Sequence, residues 1–121
     1  MTTLKHDEAQ ILGHDDILKI ADIKIEKVYI DEWKANVYLK GLSGNARDEW
    51  EEFILKSRSG NGSMRGIRAK LASLSLCDEN GNLLFKQKEL EALGEKSAAA
   101  LQRIFEKSQD LSRIGNQDWY H

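Results

Sequence analysis

From Ile23 onward, apolar positions alternate with polar ones. Ile23 and Ile25 alternate with Lys24 and Glu26, and Val28 and Ile30 then alternate with Tyr29 and Asp31, the period of two that sends successive side chains to opposite faces of a strand. The two sets are out of step at Lys27. Since a one-residue shift moves the apolar set to the other face, a bulge or bend between two short strands is expected there. Val37 and Leu39 alternate with Tyr38 and Lys40, giving a second strand after the connection 31–36. Together they predict a β-hairpin from about Ile23 to Leu39, ended by Gly41.

After Gly41 the period changes to 3.6. Ser43 and Asn45 are candidate N-caps for a helix from about Ala46, whose face carries Ala46, Trp50, Phe53 and Ile54 while Arg47, Asp48, Glu49, Glu51 and Glu52 take the other positions. Residues 57–63, Ser-Arg-Ser-Gly-Asn-Gly-Ser, predict a loop. Ser63 can then cap a second helix with the stripe Met64, Ile67, Leu71 and Leu74. The Asn80-Gly81 dipeptide predicts a tight reversal with positive φ at both residues. Gln87 to Leu93 makes about two helical turns. The clearest pattern runs from Glu95 to about Ile114, where Ala98, Leu101, Ile104, Phe105, Leu111 and Ile114 form one stripe broken at Ser108.

The expected fold class is α+β, an N-terminal β-hairpin packed on a mainly helical C-terminal part of three to four helices. Residues 1–12 lack a sustained period and read as a mobile arm, 13–115 as a single α+β domain, and 116–121 as a C-terminal tail. His14-Asp15-Asp16 before Ile17, Leu18 and Ile20 can open a short helical turn, with Asp15 or Asp16 accepting from early backbone N–H groups. Trp50, Phe53, Ile67, Leu71, Leu101 and Phe105 are the expected core.

Composition narrows the function. With 121 residues, 18 Lys plus Arg and 20 Asp plus Glu, the chain carries a formal net charge of −2, which gives no overall attraction to phosphate backbones or anionic lipid. No nucleic acid or membrane partner is expected, and no apolar run reaches the ~20 residues a spanning helix needs. The single cysteine, Cys77, cannot form an internal disulfide and implies no oxidising compartment.

Catalytic ingredients do not assemble. His6 and His14 each precede two acidic residues and His121 ends the chain, but neighbours on an arm share no face, and no second ligand pair of the His-x-x-x-His kind appears. Cys77 has no histidine near it in an ordered segment and reads as a small buried hydrophobe. Gly60-Asn61-Gly62-Ser63 lacks nucleotide-loop spacing. Hence no catalytic, cofactor-binding or metal residue is assigned and no cofactor is expected. The partner-binding candidates are Trp33, Trp119 and Tyr120, aromatics left over after the helical faces are filled.

Three segments together resemble the tail assembly chaperones of siphophages and related prophages. They are Val28-x-Ile30-x-Glu32-Trp33 leading to Val37-x-Leu39-x-Gly41-Leu42-Ser43-Gly44 and Arg47-Asp48; Arg68-Ala69-x-Leu71 leading to Cys77-Asp78-Glu79-x-Gly81-x-x-Leu84-Phe85; and Leu93-Gly94-x-Lys96-Ser97-Ala98-Ala99-Ala100-Leu101-x-Arg103-x-Phe105. Asp31 stands where the family commonly has proline. The resemblance implies a non-catalytic factor of the host cytoplasm, absent from the mature virion. It would bind the tape measure protein, keep it soluble and help recruit the tail tube protein. The same apolar surface could serve a homo-oligomer. The competing reading is a small DNA-binding phage regulator with a basic patch of Arg58, Arg65, Arg68 and Lys70 around the second helix.

Overall fold

The computed structural model describes residues 6–60 and 64–114. Its frame is a three-stranded antiparallel sheet in the order β1 (Ile25–Ile30), β2 (Ala35–Lys40), β3 (Leu76–Cys77). The helices are α1 (His14–Lys19), α2 (Gly44–Ser59), α3 (Ile67–Ser75), α4 (Leu90–Gly94) and α5 (Ala98–Ser112). The α+β class expected from the change of period is the one observed.

β1 pairs with β2 without interruption, from Ile25 opposite Lys40 to Ile30 opposite Ala35. The break at Lys27 is therefore neither bulge nor bend. Glu26, Val28 and Ile30 lie on the inner face while Ile25, Lys27 and Tyr29 are exposed on the outer one, so the phase shift records a change in which face is apolar. The connection is a single 3-10 turn, Asp31–Trp33, closed by Lys34 in the left-handed region at φ 50°. The hairpin acquires a third strand, Tyr38 opposite Cys77 and Leu39 opposite Leu76, too short to show any period. Asn80 keeps a negative φ and only Gly81 turns positive, at 87°. Asp78 tightens that turn by accepting from the N–H groups of Asn80 and Asn82 at 2.8 and 3.0 Å.

Ser43 is the cap that forms at α2, its Oγ accepting from the Ala46 N–H at 3.1 Å. α3 begins after Gly66, at φ 86°, and the expected cap at Ser63 lies outside the described residues. Rather than presenting one stripe, α3 is buried at every position except Arg68, the signature of a central helix. Ala69, Ala72, Ser73 and Ser75 keep its circumference narrow enough for neighbours on several sides. α5 starts at Ala98 with Ser97 Oγ accepting from the Ala100 N–H at 3.2 Å. Ala98 itself is exposed, and Ala100 takes the core position. Ser108 is fully buried, so it continues the α5 stripe as a small residue.

The core has two parts with α5 between them. The sheet-side part gathers Ile30, Leu39, Ala72, Leu76, Leu93, Leu101 and Ile104. The other gathers Trp50, Ile54, Ile67, Leu71, Leu74, Phe105 and Ile114. All expected core residues are buried except Phe53, which is half-buried under the Lys70 ammonium, 5.8 Å from its ring centre. The exit of β2 is pinned to the end of α5: a Cβ on Gly41 would lie 2.9 Å from the Leu111 carbonyl oxygen, and the Leu42 N–H donates to Ser112 Oγ at 2.9 Å.

Candidate partner-binding surface

Trp33 ends the 3-10 turn between β1 and β2. The preceding residue fixes that turn: Glu32 accepts from Arg103 Nε and Nη2 of α5 at 2.9 and 3.0 Å, the two-pronged geometry that gives an arginine–carboxylate pair its specificity. Held this way, Trp33 is half-buried against the sheet-side core. Its remaining surface walls a cleft of about 390 Å³ with Phe85, Ala92 and Leu93, and Glu89 and Lys96 stand at the rim. A hydrophobic floor with opposite charges at its lip suits the apolar edge of a polypeptide. Trp119 and Tyr120 lie outside the described residues.

The Arg103 guanidinium holds the Glu32 carboxyl down to about 2 from its ordinary 4.5. A depressed carboxylate contributes stability that is present above the unfolded-state value and lost as pH falls through the folded one. The unfolding midpoint should therefore drop between about pH 4.5 and 2. Glu32→Gln should lose less over that window, and equal losses in thermal scans at pH 5, 3.5 and 2.5 would remove the pair from the account.

A second apolar surface lies at the other end of the hairpin. Every residue from His6 to Ile25 is exposed, including Ile11, Leu12, Ile17, Leu18, Ile20, Ile23 and Ile25. α1 forms here with Asp16 accepting from the Gly13 N–H at 3.0 Å, the capping expected of it, yet it buries no side chain. Tyr29, Leu83 and Leu84 extend this exposure beside the sheet. Leu55 on α2 is the only other large exposed hydrophobe among the described residues. The signal for this surface in the sequence is the aliphatic run within residues 11–20, which carries neither the strand period of the hairpin nor the helix period of α2 and α5.

Cys77 lies on the outer sheet face opposite Tyr38 and Leu83 but is 2% exposed. The 78–82 turn that joins Cys77 to Leu83 comes close to β1, where a Cβ on Gly81 would lie 3.1 Å from Ile25 Cδ1. Burial raises the thiol's pKa, the wrong direction for a nucleophile. His6 and His14 are exposed, and His14 Nδ1 meets only Asp15 Oδ1, at 2.8 Å. Among the described residues no group of three or more His, Cys, Asp or Glu can hold a metal ion, and no helix is long and apolar enough to cross a membrane.

Two members of the basic patch, Lys70 and Arg68, are engaged by side chains of the fold. Lys70 is 6% exposed, its ammonium taken by Glu49 Oε2 at 2.6 Å and by Gln87 Oε1. Arg68 donates to Gln102 Oε1. A buried amine with two acceptors offers nothing to a phosphate backbone.

The family model described as phage tail assembly chaperone matches residues 17–119. Among solved structures, that of the bacteriophage HK97 tail assembly chaperone is similar at 25% sequence identity and a TM-score of 0.60, covering 81% of this chain and 89% of that one. No curated protein matches this chain.

Proposed function

The chain belongs to the phage tail assembly chaperone family, whose model spans most of its length, and from that premise we propose that it binds the tape measure protein and keeps it soluble while the tail tube is built. The work is the reversible covering of apolar surface and involves no chemical step. The protein acts in the host cytoplasm, is absent from the mature virion, and presents the bound tape measure to tail tube subunits. Within the chain, residues 13–115 act as one unit, and Trp33 is the aromatic anchor for the partner.

The observation that carries this reading is the Trp33 cleft. A tape measure is a long helical chain whose exposed apolar edge aggregates unless covered, and the wall of Trp33, Phe85, Ala92 and Leu93 offers such an edge a concave seat. Trp33 is ordered by the Glu32–Arg103 pair before any partner arrives, so binding need not meet the cost of fixing it. The engagement of Lys70 and Arg68 within the fold weighs against the DNA-binding alternative.

Co-expression with the tape measure gene is the test. Soluble tape measure should rise with the wild-type chain, and equal insolubility with and without it would refute chaperone action. Ala92 is exposed on α4 and lines the cleft, so Ala92→Glu leaves the core untouched while placing a carboxylate against the apolar wall. It should reduce recovered tape measure by at least ~10-fold, the equivalent of about 1.4 kcal/mol. Recovery at the wild-type level by a folded Ala92→Glu protein would move the seat elsewhere. Complexes should survive moderate salt, since apolar burial is not screened as exposed ion pairs are.

A further inference from the structure

The Trp33 cleft has two walls, and different parts of the fold anchor them. Trp33 is held from one side by the Glu32–Arg103 pair. Every other lining residue, Phe85, Glu89, Ala92, Leu93 and Lys96, comes from the stretch 85–96, in which a 3-10 turn, Gln87–Glu89, runs into α4. The shape of the cleft therefore depends on where this stretch sits relative to Trp33. Leu93 is buried in the sheet-side core, and Phe85 and Leu90 pack against it. Apolar contact is non-directional, however, and does not by itself fix the setting of so short a segment.

Direction comes from Lys70 on α3. It is 6% exposed, and a charge taken out of water costs free energy unless its donors find acceptors. Nζ donates to Glu49 Oε2 on α2 at 2.6 Å and to Gln87 Oε1 in the 3-10 turn, and it lies 5.8 Å from the centre of the Phe53 ring. Gln87 is otherwise exposed. Its Nε2 donates to Ser73 Oγ at 3.5 Å, and that hydroxyl donates in turn to the Lys70 carbonyl at 2.7 Å. Gln87, midway between Phe85 and Glu89, is thus tied to α3 through both ends of its side-chain amide.

We infer that Lys70 is a positioning residue for the partner-binding cleft: through Gln87 it fixes the wall that faces Trp33 before any partner arrives. The inference rests on the proposed use of that cleft. One wall is set by a guanidinium and the other by an ammonium, so a tape measure segment docks without the cost of ordering either. α2 contributes to the site as well, since Glu49 and Phe53 hold the other side of the same ammonium.

Amide hydrogen exchange on the full chain, together with co-expression with the tape measure gene, tests it. Lys70→Met keeps the apolar stem and removes the ammonium, Gln87→Ala removes the acceptor, and Gln87→Glu keeps one. In Lys70→Met and in Gln87→Ala, the amides of residues 87–94 should exchange at least ~10-fold faster while those of α2 and α5 keep their wild-type rates, because the opening is local. Gln87→Glu should exchange as wild type does. Lys70→Met combined with Gln87→Ala should exchange at close to the rate of Lys70→Met alone, since both remove one contact. Recovery of soluble tape measure should fall roughly 3–10-fold in Lys70→Met and Gln87→Ala and hold at the wild-type level in Gln87→Glu. Faster exchange throughout α2, α3 and α5 would make Lys70 a general stabiliser and overturn the positioning role. If Lys70→Met fails to fold, Gln87→Ala, which alters an exposed side chain, carries the same test. Unchanged exchange at 87–94, or undiminished recovery alongside faster exchange, would also overturn it. A wild-type chain that leaves the tape measure insoluble would overturn the proposed function instead, and the exchange rates would still decide whether Lys70 holds the wall.

Discussion

Phe105→Ala should lower the free energy of unfolding by about 3–5 kcal/mol, the range for removing a large core aromatic. Phe105 is 4% exposed and meets Trp50, itself 1% exposed, edge to face, with ring centres 5.9 Å apart and planes at 62°. That geometry sets a ring edge against a ring face and adds about 0.5–1.5 kcal/mol beyond the buried area. The truncation opens a void between α2, α3 and α5, and Leu71 and Ile54, held by their own helices, can close it only partly. Urea unfolding monitored by circular dichroism measures the loss, and a value below ~1 kcal/mol would put the ring outside the core. Phe105→Leu should recover much of the burial but not the ring contact.

Leu101→Ala, one turn earlier on the same helix, should cost about 2–5 kcal/mol. Leu101 is 4% exposed but belongs to the sheet-side part with Ala72, Leu93 and Ile104. The pair of variants asks whether the two parts of the core are thermodynamically one. Because α5 contributes to both, a loss in either should shift a single transition with an unchanged denaturant slope. Two resolved transitions in Leu101→Ala would mean that the sheet with its helical cover opens while α2 and its neighbours remain folded.

Elements that repeat are the ones a sequence can show. β2 and α5 are legible because each carries its period over enough residues to display it, and α2 because Ser43 announces its start. β3 is invisible, since two residues have no period and its place is set by β2. α3 is legible as a helix but not as a central one: Ala69, Ala72, Ser73 and Ser75 look neutral in a pattern, and only the close approach of other elements makes them core. The shift at Lys27 is real, but its cause is not a bulge or a bend. A break in apolar phase is ambiguous between a bent strand and a strand with one apolar residue facing outward, and Ile25 is that residue.

The candidate site is legible in part. Trp33 stands out as a surplus aromatic, yet half of it is spent on the core, and the cleft it walls depends on Phe85 and α4, which no spacing connects to it. Glu32 and Arg103 stand in separate motif segments, and folding brings them into one bidentate pair across a sequence separation of 71. No period reaches over such a distance. The exposed aliphatics of the arm escape a pattern search because it assumes that an apolar residue is on its way into the core.

The burial of Cys77 turns the chain's only thiol into a clock. Buried at the end of β3, Sγ is out of reach of an alkylating reagent until that part of the sheet opens. The rate of irreversible labelling in native buffer thus counts openings of that face without any added probe, and the free energy of opening comes from comparison with labelling of the unfolded chain. Because the turn rests against Ile25, anything that settles on the sheet beside it slows the clock, and one mass spectrum per time point reads occupancy and local stability together.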